Sequence, residues 1–321
     1  MITKKENYLR AIRRENPQWV PYGRESVKLV YPPVIERAAG KGKDDFGVEW
    51  DINELAEGGT YPVEGEFVIT DIERFREQLI FPKFDEMDWS IAAKEAAAID
   101  RDEYLIEGVS EFGVFERAYL LMGMENALMA YYTNPNEMYE LCSAIADYKI
   151  ELIKKYHAEV GFDILWYGDD WGTQSNLFIS PDLWRQIVKP NTQRVYNCIK
   201  ELGVIIDQHS CGKIESVFSD ICEMGADIIN PCQPCNDLKG LKQRFGDRIC
   251  FFGGVDSQFV LDNDNATPED VEAEVRKRIY EMSLPNGGYI ISPSHSVPYD
   301  KAKLDAMERT AAEHGRKVYG G

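Results

Sequence analysis

Two of the four histidines in this chain, His209 and His295, stand where short apolar runs give way to polar loops, and His209 has a cysteine two positions on. On an extended strand end, residues two apart face the same side, so His209 and Cys211 can grip one ion. An imidazole with a thiolate suits a borderline-soft cation such as Zn²⁺, and three protein ligands with one open position describe a catalytic site. His295 is the natural third ligand if the last strands close beside the one carrying His209, and Cys232 is the alternative. A plainer reading leaves His209 hydrogen-bonded at its strand end and Cys211 as a small buried side chain. Cys232-x-x-Cys235 also spells a redox motif, but Pro231 and Pro234 make an irregular loop there rather than a helix start.

The neighbouring loops are polar as well. Asp169 and Asp170 form a carboxylate pair able to hold a proton, orient a substrate hydroxyl or pair with a cation, and Trp171 and Gln174 follow in the same loop. Asp256, after Gly253-Gly254, offers a polar contact beside a closely approaching backbone. Tyr119, Glu111 and Arg117 follow the run YLIEGVS and reach the same mouth, although packing or a surface ion pair is preferred for Glu111 and Arg117.

Positioning these groups requires strands that end together. The runs Tyr104–Val109, Asp163–Tyr167, Val204–His209, Asp227–Asn230, Ile249–Phe252 and Tyr289–Ser292 are short, apolar and bounded by Gly, Pro or Asp, as in a parallel sheet buried on both faces. Helical patterns lie between them: Asn136–His157, Pro181–Glu201 with Ser180 as N-cap, and Pro268–Met282 with Thr267 as N-cap. An early strand is predicted at Trp19–Tyr22, before a less regular segment from Glu25 to about Glu86. The series predicts a (β/α)8 TIM barrel ahead of an open doubly wound sheet, a single domain over residues 1–321 with residues 1–100 as an N-terminal elaboration or lid. No G-x-G-x-x-G or P-loop follows any strand.

The composition narrows the partners. Against 55 Asp+Glu stand 36 Lys+Arg, a net charge of −19 over 321 residues, which disfavours nucleic acid and anionic membrane surfaces. The charged opening stretch MITKKENYLRAIRREN lacks the apolar core of a signal peptide, so a cytoplasmic protein is expected. Seven cysteines, none before Cys142, read as free thiols or metal ligands rather than a disulfide framework.

The motifs in order, Gly168-Asp-Asp-Trp-Gly-Thr-Gln174, Ile179-Ser-Pro-Asp-Leu-Trp184, His209-Ser-Cys-Gly212 and Phe252-Gly-Gly-Val-Asp256, resemble the uroporphyrinogen decarboxylase superfamily, and more closely its branch of corrinoid-dependent methyltransferases. Trp19-Val-Pro21 and Asp45-Phe-Gly47 extend the resemblance towards the N-terminus. It implies a deep pocket at the C-terminal mouth of the barrel and zinc held by the His-x-Cys with a cysteine from a later turn. That turn is Pro293-Ser294-His295-Ser296 here, so His295 takes the cysteine's place. It further implies methyl transfer between a small methylated compound and cobalamin carried by a separate corrinoid protein, with Asp170, Tyr119 and Gln174 orienting the substrate. The demethylase direction is favoured because His295 departs from the thiol-activating pattern. Decarboxylation of a tetrapyrrole is the alternative, the decarboxylase tyrosine falling on Tyr119 and its pocket serine on Asp170. Its arginine loop, however, is reduced to Arg24-Glu-Ser-Val-Lys28. A non-catalytic barrel scaffold is the remaining reading.

Overall fold

In the computed structural model, which describes residues 2–53, 59–295 and 299–320, the apolar runs become the staves of a barrel. β1 (Val27–Val30), β5 (Leu105–Ser110), β6 (Ile164–Gly168), β7 (Ile205–His209), β8 (Ile228–Cys232), β9 (Cys250–Val255) and β10 (Tyr289–Pro293) form one parallel sheet in that order. β2 (Gly42–Lys43), β3 (Glu49–Asn53) and β4 (Gly59–Pro62) form a separate antiparallel sheet. The eighth stave is minimal: Tyr22 makes a single parallel bridge to Ile291, with Gly23 N–H donating to Ile291 O and Ile291 N–H to Pro21 O. The sheet thus curls into the (β/α)8 barrel.

Two expectations for the N-terminal region change. Trp19–Tyr22 contributes one bridge rather than a strand, because Pro21 has no N–H to offer a ladder. The segment expected to be irregular contains β1, paired in register with β5 from Val27↔Leu105 to Val30↔Gly108.

The helices follow their punctuation. Pro135–Val160 begins on its proline, and Pro268–Met282 carries a reciprocal capping box between Thr267 and Asp270. The predicted Pro181–Glu201 helix forms as Pro181–Leu183, a π-helical stretch Trp184–Val188 and Lys189–Glu201. Pro190, which cannot donate back into the preceding turn, lies at this change of register.

The two ends of the barrel differ. Tyr8, Ala11 and Ile12 of the Lys4–Arg13 helix pack with Val27, Leu105, Ile164, Ile228, Cys250 and Ile290 from the beginnings of the staves, sealing the N-terminal end. The Trp19 carbonyl accepts from Asn7 of that helix. Above the plug, Arg24 donates to Glu107 and faces Asp207 at 3.8 Å, inside the wall and over the Phe252 ring. The opposite end stays open, and the polar loops gather there.

Candidate functional site at the barrel mouth

β6 and β7 are neighbours with Gly168 opposite His209, so the loops that follow them start side by side. They then touch backbone to backbone. A Cβ on Gly212, which has φ +84°, would lie 2.2 Å from the carbonyl atoms of Gly172, and one on Gly172 would lie 2.7 Å from Lys213 N. Glycine at both positions lets the two loops close, and Lys213 N–H donates to Thr173 O at 2.7 Å across the contact.

This contact brings Asp170 onto the His-x-Cys pair. Asp170 Oδ1 accepts from Cys211 N–H at 2.6 Å and lies 3.4 Å from His209 Nε2, which is 3.6 Å from Cys211 Sγ. All three ligand atoms lie within 4.8 Å of one another. Metal–ligand bonds of about 2.0–2.3 Å at tetrahedral angles place donor atoms about 3.3–3.6 Å apart, so the separations from His209 Nε2 to the other two donors fit a zinc-sized ion. Burial holds the His209 imidazole below its ordinary range, opposed by Asp170 and assisted by Arg24, His295 and Arg37. Burial, then the charge of Asp170, pushes the Cys211 thiol far above its usual range. A thiol and a carboxylate thus crowd one pocket with a neutral imidazole, an arrangement a cation relieves. The Trp166 ring, 4.6 Å from that of His209, backs the site.

The two residues expected to complete the ligand set stand outside this cluster. Cys232 is buried and its S–H donates to Ile229 O at 3.4 Å. His295 lines a cavity of about 570 Å³ with Gln174, Gln233, Cys235 and Asp256. Asp256 also caps the following turn by accepting from Phe259 N–H at 2.9 Å. Ser296 lies outside the described residues.

Asp169 and Trp171, expected at the substrate, are turned into the scaffold. The Asp169 carboxylate is fully buried and accepts from Phe115 N–H, Glu116 N–H and Trp171 Nε1. Burial pushes its carboxyl up to about 7 against the pull of those donors. It anchors the start of the Val114–Met122 helix beside the mouth. Arg117 of that helix is buried rather than on the surface, donating to Asp44 at 3.0 Å and facing Glu36 at 3.4 Å.

Tyr119 and Asp170 line a second cavity of about 380 Å³, walled by Trp50, Phe112, Arg37 and Glu116. Tyr119 O–H donates to Glu116 Oε1 at 2.8 Å. Burial, then Asp170 and Asp169, holds the Glu116 carboxyl well above its ordinary range. Glu116 carries no spacing signal. Gln233 was also hidden: its Oε1 accepts from Gly212 N–H at 2.6 Å and its Nε2 donates to Ser294 O at 3.1 Å, tying the His209 loop to the His295 loop.

Asp207–Gly212 also spells D-x-H-x-x-G, the pattern of cobalamin-binding segments. Here Asp207 is held inside the barrel by Arg24 and by Asn230, whose Nδ2 donates to it at 3.1 Å, while His209 faces Asp170 and Cys211. The expectation of a separate corrinoid carrier therefore rests on the family resemblance.

Known proteins agree with this architecture. The solved structure of a methyltransferase from Methanosarcina mazei superposes with a TM-score of 0.69 over 98% of this chain and 99% of that one at 15% identity, a likeness of fold. The methylcobamide:CoM methyltransferase MtaA of Methanosarcina barkeri is 27% identical over 103 residues, 32% of this chain. The match spans 29% of that relative's length. The description of the uroporphyrinogen decarboxylase family, URO-D, fits residues 68–313, from the N-terminal elaboration through β10 and into the last helix. With the match covering well over half of its length, including the loops that carry Asp170, His209 and Cys211, the chain belongs to the uroporphyrinogen decarboxylase family.

Proposed function

We propose that this chain is a zinc-dependent methyltransferase of the corrinoid-linked branch, taking a methyl group from a small methylated compound to the cobalt of a separate corrinoid protein. The observation that carries the reading is the convergence of Asp170, His209 and Cys211 at the barrel mouth, beside a cavity walled by aromatic rings. The name of the Methanosarcina barkeri relative, a methylcobamide:CoM methyltransferase, supports the same chemistry.

His209 and Cys211 keep the ligand role that their spacing assigns, and Asp170 takes the third place. A bound zinc ion supplies Lewis acidity, making a methyl ether or amine a better electrophile towards cobalt(I). One thiolate beside nitrogen and oxygen donors leaves less electron density on the ion than two thiolates, which favours demethylation over thiol activation. Tyr119, held by Glu116, orients the heteroatom that loses its methyl group. The walls of the smaller cavity exclude water from the donor. Gln174, Asp256 and His295 offer polar contacts on the other side, where the larger cavity faces the incoming corrinoid. Decarboxylation of a polyanionic tetrapyrrole is disfavoured, because Arg24 already serves two carboxylates.

Elemental analysis of the purified protein tests the ligand set. About one zinc per chain is expected, lost in Asp170→Ala, His209→Ala and Cys211→Ala and retained in His295→Ala and Cys232→Ala. Retention in Asp170→Ala with loss in His295→Ala returns the third place to the histidine. Incubating the zinc-loaded protein with free cob(I)alamin and methoxylated donors, and following methylcobalamin formation by absorbance, then tests the reaction. Porphyrinogen turnover without metal overturns it.

A further inference from the structure

Arg37, on the loop after β1, is a cation of a different kind from the other arginines near the mouth. Arg24 and Arg117 spend their N–H groups on Glu107, Asp44 and Glu36. Arg37 instead lies over two aromatic faces, its guanidinium 4.9 Å from the Phe112 centroid and 5.6 Å from that of Trp50. Those two rings stack on each other at 5.8 Å. Glu111 is 4.0 Å away, and no N–H of Arg37 donates a hydrogen bond among the described residues.

A guanidinium held over aromatic faces keeps N–H groups available to a carboxylate. Arg37 lines the same cavity as Asp170 and Tyr119, and its charge is felt at His209. The acids of that wall do not cancel it. Asp170 belongs to the ligand set, Glu116 Oε1 is engaged by Tyr119 O–H, Glu64 and Glu66 are exposed at the rim, and Glu111 comes no nearer than 4.0 Å. A cavity of about 380 Å³ lies within the range of roughly 300–1,000 Å³ typical of small-molecule sites.

We infer that Arg37 receives the anionic end of the substrate, and that this substrate is a methoxylated aromatic carboxylate, its ring against Phe112 and Tyr119 and its methoxy end towards Asp170. The inference rests on the methyltransferase reading only for the identity of the methoxy group, since the anion site stands on the geometry of Arg37. The opposite reading, an organic cation held by the aromatic walls and the acids, is an outcome of the same test.

Calorimetric titration of the full chain, with no corrinoid present, compares 4-methoxybenzoate, methoxybenzene and 4-methoxybenzylamine. The carboxylate is expected to bind at least about tenfold tighter than either of the others. Arg37→Gln is expected to abolish that preference while leaving methoxybenzene unchanged, and Arg37→Lys to restore part of it, with circular dichroism confirming that both variants fold. No binding of 4-methoxybenzoate, equal binding of methoxybenzene, tighter binding of the amine, or an Arg37→Gln variant that keeps the preference each overturns the inference. Carboxylate binding without methyl transfer removes the methyltransferase reading and leaves the anion site. Transfer from a neutral ether without carboxylate binding does the reverse.

Discussion

Cys211 is half-buried beside the Asp170 carboxylate, so its thiol keeps its proton well above the usual range in the metal-free protein. His209, by contrast, is already neutral at pH 7, because burial holds its imidazole below the ordinary value. A metal must therefore displace one proton, from the thiol. Zinc affinity is expected to rise about tenfold per pH unit between roughly pH 6.5 and 8.5, read by chelator competition. An affinity flat with pH would remove Cys211 as a ligand. The pair itself was legible because two positions on a strand end share a face. Asp170 was legible as a polar carboxylate, but its place beside His209 depends on a contact between two different loops. Chain order and the family resemblance point to His295 or Cys232 as third ligand, and neither shows that the Cys232 S–H donates to Ile229 O or that His295 lines a cavity with Gln174 and Asp256.

Between elements, the decisive contact is that of the β6 and β7 loops through Gly172 and Gly212. Gly212→Ala would force a Cβ to within 2.2 Å of a carbonyl group at positive φ, and neither backbone can yield without parting the loops. A loss of at least about 2 kcal/mol is expected in urea denaturation, together with weakened zinc binding as Asp170 moves off His209. Unchanged zinc affinity would show that the loop contact does not set the donor geometry. The strands themselves were readable because apolar runs with turn residues at both ends mark an alternating β/α series, while the choice of barrel over an open doubly wound sheet needed the observed strand order. β1 was not: VKLV lies in a segment rich in Gly, Pro and aromatics, its apolar run is broken by Lys28, and only pairing with β5 makes it a stave. Trp19–Tyr22 erred the other way, since its apolar residues promise a strand that Pro21 cannot support.

Across the molecule, the N-terminal elaboration is pinned to the barrel by buried charge. Arg117 joins Asp44 and Glu36, and Lys149, fully buried in the Pro135–Val160 helix, reaches the same Glu36 and Ser110. Arg117→Met would leave Asp44 and Glu36 with less positive charge in a dry environment. A loss of about 3–5 kcal/mol is expected from denaturant titration, with earlier cleavage of residues 30–50 in limited proteolysis. An Arg117→Met protein as stable as the parent would show that packing alone holds the elaboration. Among the described residues no helix is long and apolar enough to cross a membrane. The single bridge between Tyr22 and Ile291 joins residues from opposite ends of the sequence across the last gap in the wall. On the ribosome, the first of these emerges long before the second exists. The wall therefore cannot close until β10 has been made, and the growing chain must carry its inner polar groups, Arg24, Glu107 and Asp207, in an open sheet until then.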